Sequence, residues 1–174
     1  MTKPNFVLSF YLKCVIQIQR VIDHAWNRLF GLPQAKRSMI TPQLYLGGQY
    51  ALRGINDMKK LGITSIVSMR MTSPRADNLT GFKVLHLPTV DMTPPALEDL
   101  HKGVVFIKNE IDNKGKVYIH CHHGEGRGPS MVIAYLISTG LTYDDAHMLV
   151  KKVRTFINLN LPQVARLQEF EQSL

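Results

Sequence analysis

Cys121 and Arg127, with five residues between them, are the pair in this sequence best placed to do chemistry. The residues between, His122-His123-Gly124-Glu125-Gly126, include two glycines, and the stretch continues through Gly128, Pro129 and Ser130. A Gly-containing loop that feeds a helix presents backbone N–H groups with no intrahelical partner. The helix dipole adds positive potential, so a bound anion is favoured there. Such a loop can wrap its amides around a tetrahedral oxyanion while the guanidinium grips two oxygens and the thiol faces the central atom from below. The same field favours the thiolate, the nucleophilic form. Gly124 and Gly126 permit inward amides, and Pro129 suits a first helical turn, where no N–H is required.

The elements that must hold this loop stand on either side of it. Lys116-Val117-Tyr118-Ile119 is a short apolar run with strand character, and Met131 to Ile137 is an apolar helical run. Upstream, 5–30 repeats Leu8, Tyr11, Leu12, Val15, Ile18, Ile22, Ala25, Trp26 and Leu29 at helical spacing, which predicts an amphipathic helix. Polar interruptions make it too short of apolar length to span a bilayer. It either packs on the domain, lies on a membrane, or serves as a presequence. Gly31-Leu32-Pro33 ends it, and a basic connector leads to a catalytic unit over 40–174, with 1–39 as a separate N-terminal segment.

Within that unit the pattern predicts a strand at 44–46 and a helix over 50–61 with Leu52, Ile55, Met58 and Leu61 inward. Strands follow at 64–69 and 83–87. Helices are expected from Thr93-Pro94-Pro95, after Arg127, from Thr142 through Ile157, and from about Pro162. The polar stretch 70–81 reads as a loop at the rim of the site. Strands interleaved with helices imply an α/β fold, a mainly parallel sheet of four to five strands flanked by helices. Ligands in such folds sit beyond the carboxyl ends of strands. Both Cys121 and Asp91 follow strand ends.

His120-Cys121-x-x-Gly124-x-x-Arg127 resembles the signature of the cysteine-dependent protein tyrosine and dual-specificity phosphatases, and the similarity runs from about Ile40 to Glu171. The resemblance implies a dual-specificity-phosphatase-like fold and hydrolysis of phosphotyrosine and phosphoserine/threonine without metal or cofactor. Cys121 would be the nucleophile, Arg127 and the loop residues His122, His123, Gly124, Glu125 and Gly126 the phosphate binders, and Asp91 the general acid. One departure is plain. The family's Ser or Thr after the arginine, whose hydroxyl stabilises the departing thiolate, is Gly128 here, leaving Ser130 or a water to substitute. Thr89-Val90-Asp91-Met92-Thr93 and the spacing of Gln163, Leu167 and Phe170 are also similar to the mitochondrial phosphatidylglycerophosphate phosphatases. That similarity implies a lipid phosphatase as the alternative.

Bland readings compete for several residues. His120, Cys121, His122 and His123 could suggest zinc, but adjacent ligands converge poorly and Arg127 would oppose a cation. His120 is expected to orient the thiolate from beneath, His122 and His123 to shape the mouth. Glu125 is a second acid/base candidate, and Gly128 leaves open a phosphate-binding module without turnover. With 45% hydrophobic and 20% charged residues the chain is ordinary for one globular domain. Its two cysteines, Cys14 and Cys121, suit a reducing compartment, with cytoplasm the expectation. The net charge of +8 lies in residues 1–80, which carry eleven Lys/Arg against three acids. An anionic partner follows, a phosphoprotein or an acidic phospholipid surface touched through the N-terminal helix. Nucleic acid has only charge in its favour and is not the expected partner.

Overall fold

The structure, a computed structural model, describes residues 6–73 and 79–174. Five strands, β1 (Met39–Thr41), β2 (Leu44–Gly47), β3 (Ser65–Ser68), β4 (Lys83–His86) and β5 (Val117–His120), form one sheet in the order β1-β2-β5-β3-β4. Every pair is parallel except β1–β2. The helices are α1 (Phe6–Phe30), α2 (Leu52–Lys60), α3 (Leu97–Asp112), α4 (Arg127–Ser138), α5 (Tyr143–Val153) and α6 (Leu161–Gln172). The α/β reading and the N-terminal helix are both present.

Strand β5 lies in the middle because both its faces are apolar. Val117, Ile119 and the α4 residues Met131 to Ile137 join the main core with Leu100, Ile107, Leu167 and Phe170. Tyr118 faces the other way, with Tyr45, Ile55, Met58, Ile66 and Leu79. Burying a side chain of this kind contributes about 1.5–3 kcal/mol, so the core places β5, and the loop at its end, firmly.

Four details depart from the sequence pattern. The edge strand β1 was not expected, since its three residues carry too little periodicity to stand out. Leu52 faces solvent at 67% exposure, because α2 starts there and its core face is carried by Ile55 and Met58. α3 begins at Leu97 with Ala96 as an uncapped N-cap, while the Thr93 hydroxyl donates to the Val90 carbonyl at 2.9 Å. Two consecutive prolines keep the preceding residues extended and postpone the helix. α5 stops at Val153, so Ile157 is buried from the following loop.

α1 lies against the domain on one side only. Asp23 is buried, Asn27 Nδ2 donates to the Gln49 carbonyl at 2.7 Å, and Arg37 Nη1 donates to the Gln19 carbonyl at 3.0 Å. Among the described residues no helix is long and apolar enough to cross a membrane.

Candidate active site

Cys121 follows β5 directly and is buried, with the Gly124 N–H donating to its Sγ at 3.2 Å. That amide points inward for a traceable reason. In a trans peptide the C=O and N–H are opposed, so holding a carbonyl from outside turns the next N–H inside. Here the His122 carbonyl accepts from Gln49 N at 2.8 Å, and the Glu125 carbonyl from Asn158 N at 2.8 Å. Arg154 holds the two between, Nη2 donating to the His123 carbonyl and Nε to the Gly124 carbonyl, each at 2.8 Å. The N–H groups from His123 to Gly126 are therefore turned away from those outer donors, and that of Gly124 reaches Cys121 Sγ, an arrangement suited to an anion nest. Gly124 has φ +71°, and a Cβ there would lie 2.5 Å from the Gly47 carbonyl oxygen, so only glycine fits.

Arg154 is fully buried, and its charge is met by Asp23 of α1, Oδ2 to Nη2 at 3.0 Å. It also lies over the Phe156 ring, 4.4 Å from its centroid. Neither residue was singled out from the sequence. The available signal was that Arg154 falls four residues after Val150, continuing past the end of α5 the buried spacing of Ala146 and Val150, where a charge needs a reason.

Arg127 opens α4 with its side chain turned into the protein. Nη1 donates to the Thr89 carbonyl at 2.9 Å and Nη2 lies 2.8 Å from Asp91 Oδ1, while the buried Nε has no partner among the described residues. The three predicted catalytic residues, Cys121, Arg127 and Asp91, are thus brought to one loop cluster. Asp91 itself is exposed, and the loop carrying it is held by α6. Asn160 Nδ2 donates to the Met92 carbonyl at 2.6 Å, Gln163 Nε2 to that of Thr93 at 3.1 Å and Arg166 Nη1 to that of Pro95 at 2.9 Å. Met92 takes a left-handed φ of 63°, a conformation that costs a non-glycine residue about 1 kcal/mol or more and is retained because these bonds over-determine it.

The histidines divide by role. His120 Nδ1 lies 3.1 Å from the Cys121 carbonyl, so it holds the backbone of Cys121, not the sulfur. Burial pushes its pKa down to about 4. His122 and His123 line a cavity of about 470 Å3 between the loop and α1, where His24 stacks on His123 at 4.9 Å. Burial lowers the pKa of both. Glu125 is turned away from the nest: its Oε1 accepts from Arg20 Nε at 2.9 Å and lies 3.0 Å from His24 Nε2. Its side chain serves the contact with α1 and leaves its backbone to the loop.

Gly128 backs onto Cys121, where a Cβ would sit 3.6 Å from Sγ. Ser130 does not fill that role, since its hydroxyl donates to the Gly126 carbonyl at 3.0 Å. Of the rim loop, Arg70, Thr72 and Ser73 line a cavity beside His120, and the part of this loop at 74–78 lies outside the described residues. Cys14 is a free thiol on α1.

Cys121 at the end of a central parallel strand, with the Gly124 N–H on its sulfur and Arg127 and Asp91 paired nearby, is an arrangement on an α/β fold chemically suited to an oxyanion. A family model described as the dual specificity phosphatase catalytic domain matches residues 44–173, and the chain belongs to that family. Dual specificity protein phosphatase 8 of Mus musculus is 30% identical over 145 residues, 82% of this chain and 22% of that protein. Phosphatidylglycerophosphatase and protein-tyrosine phosphatase 1 of Mus musculus is 38% identical over 96 residues, 54% of this chain and 50% of that protein. The chain therefore spans half or less of the length of these curated relatives. The crystal structure of PTPMT1 in complex with PI(5)P has a TM-score of 0.72 at 26% identity, covering 77% of this chain and 93% of that one.

Proposed function

We propose that this chain hydrolyses phosphate monoesters through a cysteinyl-phosphate, acting as a dual-specificity phosphatase on phosphotyrosine and phosphoserine or phosphothreonine. The observation that carries this reading is the inward Gly124 N–H on Cys121 Sγ beside an Arg127 whose Nε is buried and unpartnered. In the first step the Cys121 thiolate forms an S–P bond as the P–O ester bond breaks, and Asp91 gives its proton to the departing oxygen. The nest amides and Arg127 hold the three equatorial oxygens as charge shifts. In the second, Asp91 takes a proton from water, whose oxygen bonds to phosphorus as the S–P bond breaks and the thiolate returns.

Turnover of para-nitrophenyl phosphate and of phosphotyrosyl and phosphothreonyl peptides tests this. Cys121→Ser should abolish it, and Arg127→Lys should reduce kcat/KM by about 100-fold or more through loss of the bidentate grip. Phosphate binding without turnover would leave a binding module instead.

A second reading, a lipid phosphatase working at a membrane, is favoured by α1. Its domain-facing side carries Asp23 and Asn27, while Tyr11, Ile18, Val21 and Leu29 project from the other side, strongly exposed. An apolar helix face within a segment rich in Lys and Arg suits an anionic bilayer surface. On this reading residues 1–39 dock the catalytic unit, 40–174, peripherally on a membrane facing the cytoplasm. Vesicles containing phosphatidylglycerol should co-sediment the protein and release a Val21→Ser, Leu29→Ser variant. Equal binding of the variant would end the lipid reading.

A further inference from the structure

Two cavities flank the residues that follow β2. One, of about 470 Å3, lies between the Cys121 loop and α1 and is lined by His24 and Arg28 of α1 and by His122 and His123. The other, of about 390 Å3, is lined by Arg70 and Thr72, beyond the end of β3, and by Ile55 of α2. Gln49, Tyr50 and Ala51 line both, so the two adjoin and form one trough passing beside the loop. The trough meets the reacting groups at His122, where the charges of Arg70, Arg127 and Asp91 are all felt.

Arg28 and Arg70 stand apart from the other described arginines. Arg20, Arg37, Arg53, Arg127, Arg154 and Arg166 each donate to a carboxylate or a carbonyl. The guanidiniums of Arg28 and Arg70 have no such partner among the described residues; the side chains of Arg53 and His86 that reach these two residues bond their carbonyls. A guanidinium has five N–H donors and no acceptor, so the ligand group that fits it is an anion, a carboxylate or phosphate gripped at two oxygens. Water solvates a lone arginine on an open surface equally well. Two of them in one trough, with Tyr50 between and a phosphate-binding loop alongside, instead match a ligand with an anion on each side of a phosphoester.

A bilayer does not meet that requirement. The side of α1 that lines the trough carries His24, Asn27 and Arg28, while Tyr11, Ile18, Val21 and Leu29 project elsewhere, strongly exposed. A helix laid on a membrane by those apolar residues leaves the trough to solvent. An extended peptide does meet it. Residues before and after a phosphoresidue run outwards along the trough, and the exposed Gln49 offers an amide donor and acceptor to the peptide backbone.

We infer that the trough binds the segments flanking a phosphoresidue in a protein substrate and selects carboxylates on both sides of it, Arg28 reading one side and Arg70 the other; this rests on the protein-phosphatase reading above. On this account α1, which precedes the family match over 44–173, is a wall of the substrate site.

Fluorescence anisotropy on the full chain carrying Cys121→Ser, which is expected to hold substrate without turnover, tests the trough apart from catalysis. The probes are phosphotyrosyl peptides with Glu on both sides, with Glu on one side only, or with Gln at every flanking position. Glu on both sides should tighten binding about tenfold or more over Gln, a difference that shrinks in about 1 M salt. Arg28→Gln should remove the preference at one end and Arg70→Gln that at the other, about fivefold each, as expected of partly exposed pairs. The Arg28→Glu, Arg70→Glu double variant should prefer Lys-flanked peptides, a gain that also shows it folded. Equal binding of Glu- and Gln-flanked peptides, a preference surviving both substitutions, loss at the same end from either one, or binding to phosphatidylglycerol vesicles without binding to peptide would overturn the inference. Turnover of the same peptides by the unsubstituted chain is read separately. Preference without turnover keeps the trough and ends the phosphatase reading, and turnover without preference does the reverse.

Discussion

Asp23 on α1 and Arg154 after α5 meet at 3.0 Å with neither exposed to solvent, and the same guanidinium holds the His123 and Gly124 carbonyls of the loop after Cys121. The N-terminal helix is thereby tied to the back of the anion nest. Removing one partner of a buried pair leaves the other charge uncompensated, at a cost of about 3–5 kcal/mol. Arg154→Met should lose stability of that order in urea unfolding and, by freeing two loop carbonyls, lower kcat. Asp23→Asn should destabilise while leaving those carbonyls held, so a larger kcat loss in Asp23→Asn than in Arg154→Met would contradict this account.

Asp91 sits on Arg127 Nη2 at 2.8 Å, where a phosphoryl oxygen would compete for the same donor. Asp91→Ala should therefore bind inorganic phosphate more tightly in calorimetry even as kcat for alkyl phosphates falls by roughly 100-fold or more, the usual contribution of a general acid. Aryl phosphates with good leaving groups should suffer less. Weaker phosphate binding in the variant would show that the pair does not compete with substrate.

Gly128 leaves the back of Cys121 Sγ without a hydroxyl, and a Cβ there falls 3.6 Å from the sulfur and 3.1 Å from the Leu46 Cδ1, a side-chain end that can yield. Gly128→Ser should speed breakdown of the phosphoenzyme, seen as a smaller pre-steady-state burst and a higher kcat. An unchanged burst would mean that hydrolysis of the intermediate is not limited by the leaving thiolate.

His120 is held neutral by burial, with a pKa of about 4 against an ordinary 6.5, the bond to the Cys121 carbonyl opposing the shift only in part. Between these values the unfolded chain binds the extra proton and the folded chain does not. Stability should thus fall as pH drops from about 6.5 to 4. Burial moves His122, His123 and His147 the same way. His120→Gln should flatten part of this slope in pH-dependent urea unfolding; an unaltered slope would assign it to the other three.

Glu110 carries the opposite lesson for a carboxylate. Burial would raise its pKa, but bonds from Lys83 Nζ at 2.7 Å and Ser65 Oγ at 2.6 Å outweigh it and bring it below the ordinary value. Its stabilisation is present above the unfolded pKa and lost as pH falls through the folded one. Glu110→Gln should cost about 1–3 kcal/mol at pH 7, a difference that closes in acid.

The sequence alone was enough to read the strand, loop and helix around Cys121, the alternation of strands and helices, and the amphipathic α1, because each is set by neighbours within a few residues. Cys121, the glycines and Arg127 share one loop, so their spacing already limits how they can be arranged. Other features depend on residues far apart in the chain. Arg154 lies 131 residues from Asp23 and 30 from Gly124, and no local period records that they meet. The same holds for the α6 side chains that grip the Asp91 loop, for Glu125 turning to α1, and for Arg28 and Arg70 lining cavities that share Tyr50. Local periodicity determines which face of an element is apolar; which distant charge or carbonyl that face meets is decided only when the core closes.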